Sequence, residues 1–318
     1  MWSAIFSQPE ISRHPDLKAH LRNQLDYEAA YNEVMSSENF GPETKNDFTA
    51  AIEMSYQQIH EAFYVGQDLE NKAVGVCRAL IGPFGGTGAN ERGFIFTLNQ
   101  DLFMERFFLN GSHSLYELSI PGISNYGYFN FQLPKIFTED YRIYLPDEEK
   151  VQRLKSDFWT KTYGRFSYLK LHGSDWWRTT DGSNAMVIGS KKTGLIDREP
   201  YLKWSHSVFE EVLKGPACVL VVIGYSFGDE HINKIIADSI LHHGLRLHVV
   251  RPDEHKEFKN MLMPVQGVLE KQPPEHGPTL WEGLDGYYPA RASDLYTYTG
   301  GNSTLTSLGK SLVRNVGL

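Results

Sequence analysis

The sequence contains 318 residues, a length that suits two domains or one large α/β domain. Of these residues 41% are hydrophobic and 22% are charged, a composition typical of a globular protein. Its 39 acidic residues outnumber its 31 basic residues and give a net charge of −8. Because broad nucleic-acid binding needs clustered Lys and Arg, we expect no direct contact with nucleic acid.

The cysteines and the apolar segments narrow the class of protein further. Cys77 and Cys218 both lie in apolar surroundings and predict buried thiols. Since the sequence has no Cys-x-x-Cys pair, we expect no zinc ribbon and no bound metal. The N-terminus lacks the features of a signal peptide, and the apolar run 217–223 is far shorter than the ~20 residues of a membrane helix. We therefore expect a cytoplasmic protein without membrane contact.

The first part of the chain, residues 1–90, is predicted to be a mainly helical N-terminal region. Apolar residues recur there at helical spacing, as in Leu17, Leu21 and Leu25. The predicted helices lie at residues 17–25, 27–35, 47–64 and 71–81. A glycine-rich loop at 82–90 then ends the helical pattern.

From residue 91 onward, predicted strands and helices alternate. The predicted strands are 93–97, 166–171, 217–223 and 245–250, and the predicted helices are 101–108, 201–213, 229–242 and 303–315. This alternation indicates a parallel sheet with crossover helices, so the predicted fold class is α/β. We place the core at 91–255, with an irregular insertion near 109–160, and a C-terminal segment at 256–318 that packs on the core or at an oligomer interface.

The segment from Val219 to Asn233 predicts a buried strand, a tight turn and the start of a helix. Gly224 and Gly228 bracket the turn, where the absence of side chains lets a ligand approach the backbone. Asp229 is predicted to cap the helix. Strand–turn–helix segments of this kind are where open α/β sheets bind nucleotides.

Three predicted strands end in small and polar residues. These ends are Leu98-Asn99-Gln100-Asp101, His172-Gly173-Ser174 and Gly224-Tyr225-Ser226. Because the carboxyl ends of parallel strands share one edge of a sheet, we expect the three ends to meet in a single crevice.

Together, the segments FTLNQD, KLHGS and VIGYSFGDEHIN resemble the sirtuin-like family, and its bacterial antiviral NAD hydrolases more than its protein deacylases. The resemblance extends over roughly residues 90–250. It implies a Rossmann-like domain that binds NAD, with an additional helical region, and it implies that Asn99 and His172 handle the nicotinamide ribose. It also implies depletion of NAD in anti-phage defence, controlled by homo-oligomerisation or by a partner such as an ATPase of the HerA type.

The residue types suit cleavage of the nicotinamide–ribose bond. This reaction passes through an oxocarbenium-like state, and nicotinamide leaves as a neutral molecule without a general acid. Asn99 can orient a ribose hydroxyl or the attacking water, and His172 can accept a proton from a ribose hydroxyl. Asp101 supplies negative potential or caps the next helix. The further predicted NAD contacts are Thr97, Gly173, Gly224, Tyr225, Ser226 and Asp229, with the turn at 224–226 acting through backbone N–H groups.

Two other functions stay open. Gly224 to Gly228 matches Gly-x-Ser-x-Gly, which predicts an α/β hydrolase with Ser226 as nucleophile and Asp253 and His276 as partners. The Gly-Ala-Gly-x-Ser turn of sirtuin-like domains is not found in the sequence, which opens in a helical pattern at Met1. A chain truncated at its start, or a non-catalytic nucleotide-sensing or structural subunit, would explain that difference.

Overall fold

The computed structural model forms two compact units. One comprises residues 1–70 and 88–205, and the other comprises residues 71–87 and 206–318. The structure describes residues 1–24, 27–62, 75, 79–85, 92–108, 118–123, 142–160, 165–189, 192–264, 273–299 and 302–318. Within these residues, no helix combines the length and the apolar character needed to cross a membrane.

Helices build the N-terminal part of the first unit. They are α1 (Trp2–Phe6), α2 (Pro9–Ser12), α3 (Pro15–Leu21), α4 (Tyr27–Ser36) and α5 (Pro42–Ala62). Their apolar faces share one core, which includes the fully buried side chains of Ile5, Leu17, Val34, Phe48 and Ile52. Burying one such side chain contributes about 1.5–3 kcal/mol, so packing rather than intrinsic propensity holds these mostly short helices.

A parallel sheet forms the other part of the first unit. Its strands are β1 (Gly93–Thr97), β2 (Leu118–Ser119) and β4 (Phe166–Lys170), in the order β1-β4-β2. Every residue of β4 is buried, which explains why its sequence shows no apolar alternation. A second, two-stranded parallel sheet pairs β3 (Ile143–Tyr144) with β5 (Trp177–Arg178). The helices that follow α5 are α6 (Phe103–Phe108), α7 (Glu148–Asp157), α8 (Lys192–Arg198) and α9 (Pro200–Leu213), and the division between the units falls within α9, after residue 205.

The second unit is built on another parallel sheet. Its strands are β6 (Val219–Ile223), β7 (Arg246–Arg251) and β8 (Leu284–Pro289), in that order. The remaining elements are α10 (Glu230–His243), α11 (His255–Leu262), α12 (Gly277–Glu282), the antiparallel pair β9 (Tyr296–Thr299) and β10 (Asn302–Leu305), and α13 (Ser307–Asn315). Leu80 and Phe84, from the segment 71–87, pack against the core of this unit.

Most predicted elements in the described residues are confirmed, including β1, β4, β6, β7, α4, α5 and α10. The helix predicted at 71–81 lies mostly outside the described residues. The predicted insertion near 109–160 contains one regular helix, α7, together with β2 and β3 among its described residues. The terminal helix predicted from 303 begins later, because Asn302–Leu305 pairs with β9 as a strand.

Two features of the sheets differ from prediction. The strands form separate sheets in the described residues, with β1, β4 and β2 in the first unit and β6, β7 and β8 in the second, whereas a single parallel sheet was predicted. Within the second unit, the crossover helix α10 returns the chain directly beside β6, and β7 pairs with it in parallel. The strand β8 was not predicted, since its sequence contains Gly286 and ends in a proline. A Cβ at Gly286 would come within 2.4 Å of the His248 Nδ1 atom, so a larger residue there would displace the His248 ring.

Candidate functional site

The register of β1 and β4 brings two predicted site residues to one edge of their sheet. Thr97 is paired with Lys170, and the Leu171 N–H continues the ladder by donating to the Thr97 carbonyl at 2.9 Å. Asn99 and His172 each follow this last pair by two residues. The Asn99 side chain is exposed, whereas His172 is only 2% exposed. An exposed amide and a buried imidazole therefore follow adjacent strand ends.

Local hydrogen bonds order the chain around Asn99. The Thr97 hydroxyl accepts a hydrogen bond from the Asn99 N–H at 3.0 Å. The Asp101 carboxylate accepts one from the N–H of Phe103, the first residue of α6, at 2.9 Å. Thr97 and Asp101, both predicted as NAD contacts, thus also fix the backbone on either side of Asn99. For Asp101, the alternative expectation of a helix-capping contact is observed.

Gln100 anchors the same loop in the interior of the first unit. Its side chain is buried, accepts a hydrogen bond from the Tyr56 hydroxyl at 2.8 Å and donates one to the Val187 carbonyl at 2.8 Å. Its own carbonyl accepts from the Ser174 hydroxyl at 2.8 Å. Burial raises the pKa of Tyr56, so this hydroxyl stays protonated and remains a donor. Sequence reasoning assigned Gln100 no role, although a polar residue inside the first strand-end segment was a usable signal.

The turn after β4 allows only glycine at position 173. Gly173 has a φ of +64°, in the left-handed region. A Cβ at this position would lie 2.0 Å from the Ala185 carbonyl oxygen. The His172 carbonyl also accepts a hydrogen bond from the Val187 N–H at 3.0 Å. The backbone that carries His172 is therefore held closely against the segment 185–187.

A buried ion pair joins Lys170, the last residue of β4, to Glu105 in α6. The side chains of Lys170 and Glu105 are 0% and 2% exposed, and the Lys170 Nζ atom lies 2.9 Å from Glu105 Oε1. Sequence reasoning missed both residues. The sequence offered a signal for Lys170 alone, a charged residue inside the predicted strand 166–171, and none for Glu105 as its partner.

The second unit contains the turn between β6 and α10. Gly224 and Phe227 have left-handed backbones, with φ of +70° and +57°. Gly224, Ser226 and Gly228 are exposed, whereas Phe227 is fully buried. The turn therefore presents its glycines and its serine to solvent while Phe227 anchors it in the core.

Tyr225 and Asn233 hold this turn to the start of α10. The Tyr225 hydroxyl lies 3.0 Å from Asn233 Oδ1 and accepts a hydrogen bond from the Asp229 N–H at 3.2 Å. The fully buried Asn233 donates through Nδ2 to the Phe227 carbonyl at 2.8 Å. Burial raises the pKa of Tyr225, so the hydroxyl stays protonated. Tyr225, predicted as an NAD contact, thus has a structural task as well, and Asn233 is a residue that sequence reasoning missed.

Asp229 occupies the N-cap position of α10, but its side chain makes no capping hydrogen bond. The expectation that this carboxylate caps the helix is therefore wrong. The physical reason is that the Ile232 N–H, which a capping side chain would accept from, donates to the Asp229 carbonyl at 3.0 Å.

The geometry of the turn does not favour a nucleophilic serine. In a nucleophile elbow the serine itself occupies the strained position between strand and helix. Here the left-handed residue is Phe227, and Ser226 does not have a positive φ. Asp253, the proposed acid, is engaged by Arg251, whose Nε donates to Asp253 Oδ2 at 2.7 Å. The Arg251 Nη1 atom also donates to the Tyr225 carbonyl at 3.1 Å and so braces the turn.

One group of side chains in the second unit offers ligand atoms to a cation. Atoms of Glu230, Glu275 and His276 lie within 4.8 Å of one another. Both glutamates are exposed, and Glu230 Oε1 already accepts a hydrogen bond from the Glu275 N–H. Such surface groups are common, and we assign no metal to this one.

The structure brings together Thr97, Asn99, Asp101, His172 and Gly173 within the first unit, and Gly224, Tyr225, Ser226 and Asp229 within the second. Two of the three predicted strand ends are therefore neighbours on adjacent strands. The single crevice expected for all three stays a prediction.

Comparison with known proteins identifies the family. A family model described as a SIR2-like domain matches residues 93–263, more than half of the chain, and the match includes both groups of site residues. A search of curated proteins found no match. SIR2-like domains are Rossmann-like and bind NAD, so the predicted α/β fold with a Rossmann-like parallel sheet and added helices is confirmed. The chain belongs to the family of proteins with a SIR2-like domain.

Proposed function

We propose that this protein hydrolyses NAD by cleaving the bond between nicotinamide and ribose. The observation that carries the proposal is the register of β1 and β4, which sets Asn99 and His172 at the same sheet edge, each two residues beyond the last strand pair. The match to a SIR2-like domain supports NAD as the ligand.

The proposed chemistry divides between the two side chains. The exposed Asn99 amide offers a donor and an acceptor that orient a ribose hydroxyl or the attacking water. The imidazole of His172 accepts a proton from a ribose hydroxyl as positive charge develops on the sugar. Nicotinamide leaves as a neutral base, so no acid is required on that side. The fixed backbone on both sides of Asn99 keeps the amide oriented before NAD binds.

The turn of the second unit is the proposed contact for another part of the dinucleotide. Gly224, Ser226 and Gly228 are exposed, and the absence of side chains at the two glycines leaves the backbone N–H groups accessible. Backbone donors ahead of a helix suit ribose hydroxyls or phosphates. Tyr225 and Asp229 are proposed as further contacts of this part.

The direct test is release of nicotinamide from NAD by the purified protein. We expect Asn99→Ala to lower the rate by about 100-fold or more, because the reacting groups lose their orientation. Asn39→Ala is the matched control, since Asn39 is exposed in the same unit and its side chain has no proposed role. Equal rates for wild type and Asn99→Ala would contradict the assignment. Tight NAD binding without any release would favour the non-catalytic nucleotide-sensing alternative.

We further propose that the activity serves anti-phage defence by depletion of cytoplasmic NAD. A constitutively active NAD hydrolase would be toxic to its own cell, so we propose control by homo-oligomerisation or by a partner, with an ATPase of the HerA type as one candidate. The resemblance of the three motifs to antiviral NAD hydrolases supports this role. The test is the cellular NAD level after phage infection, which should fall in cells with the wild-type protein and stay constant with Asn99→Ala.

A further inference from the structure

A buried charge cluster contacts the loop that carries Asn99, residues 98–102 between β1 and α6, which we call the Asn99 loop. Lys170, at the end of β4, and Glu105, in the first turn of α6, are 0% and 2% exposed, with Nζ and Oε1 2.9 Å apart. Two ionisable side chains are thus buried where β4 approaches the start of a helix. The described mechanism uses neither of them.

The Lys170 ammonium group makes hydrogen bonds in addition to the ion pair. A lysine has three N–H donors, and Nζ also donates to the Asp101 backbone carbonyl and to the Tyr168 hydroxyl, the latter at 3.4 Å. The Tyr168 hydroxyl lies 3.5 Å from Glu105 Oε2. The cluster therefore joins β4, α6 and the backbone two residues after Asn99.

Stability alone does not explain this arrangement. Transfer of a charged pair from water into the interior is unfavourable, and a well-packed apolar pair of similar volume is often equally stable or more stable. Burial raises the pKa of the Glu105 carboxyl, and the nearby Lys170 counteracts part of that effect. What an apolar pair cannot supply is a donor for the Asp101 carbonyl.

We propose that Lys170 and Glu105 are positioning residues for the site: the carboxylate orients the ammonium group, which fixes the Asp101 carbonyl and with it the Asn99 loop. The role in catalysis rests on the proposed function, whereas the effect on the loop does not. Lys170 contacts the loop through the Asp101 carbonyl, whereas Gln100 is a loop residue whose own side chain is hydrogen-bonded in the interior. Both contacts hold the backbone directly after Asn99, at Gln100 and Asp101, and the Asn99 side chain stays exposed.

The decisive variant replaces both charges at once. Lys170→Met combined with Glu105→Leu keeps the apolar volume and leaves no charge unpaired, so we expect an unfolding temperature within about 5 °C of wild type. The matched control is Lys214→Met with Glu210→Leu, which removes an exposed ion pair of 2.6 Å between Glu210 on α9 and Lys214 just after its end. The first double variant should loosen the backbone of the Asn99 loop, and the second should leave that backbone as ordered as in wild type.

Amide hydrogen exchange measures how well the Asn99 loop is ordered, independently of catalysis. The N–H groups of Asn99 and Phe103 are hydrogen-bonded within the loop. We expect their exchange to accelerate at least about tenfold in the Lys170/Glu105 double variant, while amides inside β1 and β4 keep their rates. Unchanged exchange at both positions would overturn the proposal, whether or not the protein cleaves NAD.

Kinetics then connects the loop to the site. We expect kcat for NAD cleavage to fall about 100-fold while KM changes less than about threefold, because misplacement of Asn99 affects the reacting state more than binding. Faster loop exchange with unchanged kcat would overturn the catalytic part of the proposal. If wild-type protein releases no nicotinamide, the proposed function fails, and the exchange rates alone decide whether the pair positions the loop.

A backbone substitution covers the case in which the double variant does not fold. Replacing Leu102 with its α-hydroxy analogue converts the peptide bond after Asp101 into an ester, whose carbonyl is a weaker acceptor for Lys170. Both charged side chains stay in place. We expect faster loop exchange and about a tenfold lower kcat from this change, and wild-type behaviour in both measurements would contradict the proposal.

Discussion

At the residue scale, Gly173 is the position where backbone conformation and packing act together. Its φ is +64°, and the Ala185 carbonyl oxygen fills the space that a Cβ would occupy. A left-handed backbone costs a non-glycine residue about 1–2 kcal/mol. The close approach to Ala185 adds a steric term that cannot relax easily, since the obstructing atom belongs to the backbone.

We therefore predict that Gly173→Ala lowers the free energy of unfolding by about 3 kcal/mol or more. Gly182→Ala is the matched control, because Gly182 has a φ of +87° but no atom within 4 Å of the added Cβ. That variant should lose only about 1–2 kcal/mol. Urea unfolding of both variants measures the difference. Equal losses would mean that the contact with Ala185 relaxes without cost.

Residue patterns in the sequence predicted Asn99 and His172 as site residues but did not indicate the buried pair of Lys170 and Glu105 next to them. Asn99 and His172 follow strand ends, and a strand end can be predicted from local sequence. Lys170 and Glu105 are paired across a long sequence separation, and only the fold brings them together. The error at Asp229 has a related cause, since the capping preference of aspartate was outweighed by the hydrogen bonding of its own carbonyl.

At the element scale, the pairing of β7 with β8 buries a histidine. His248 is 1% exposed, with Nε2 3.3 Å from Asp285 Oδ2 and Nδ1 3.4 Å from the Tyr288 hydroxyl. Burial lowers the pKa of His248, the Asp285 carboxylate counteracts part of that effect, and Arg246 lowers the pKa further. The folded protein therefore keeps this imidazole neutral at a pH where the unfolded chain protonates it.

This difference predicts a loss of stability in acid. A histidine with a lowered folded-state pKa contributes stability above its unfolded pKa of about 6.5, and the contribution is lost as the pH falls through the folded-state pKa. We expect the free energy of unfolding to fall more between about pH 7.5 and about pH 5.5 in wild type than in His248→Gln. The exposed His243 gives the control variant, His243→Gln, which should keep the wild-type pH dependence. The same slope in all three proteins would contradict the prediction.

At the scale of the whole molecule, the alternation of strands and helices was enough to predict an α/β fold. It was not enough to predict how the strands divide among sheets, because hydrogen-bonded neighbours depend on the full set of strands. β8, with its glycine and terminal proline, gave too weak a signal, yet it completes the sheet of the second unit. The association of residues 71–87 with that unit likewise depends on tertiary packing.

That packing leads to a prediction about the whole chain. Phe84 precedes the whole of the first sheet in sequence, yet it packs against the core around Val250 and Leu295. We expect Phe84→Ser to remove about 1–3 kcal/mol from the second unit, and hydrogen exchange in β7 and β8 should accelerate while that in α5 stays constant. Phe40→Ser is the reciprocal control, since Phe40 packs against the helical core of the first unit. This variant should accelerate exchange in α5 and leave β7 and β8 unchanged. If Phe84→Ser instead accelerated α5 and left β7 and β8 unchanged, residues 71–87 would have to stabilise the first unit.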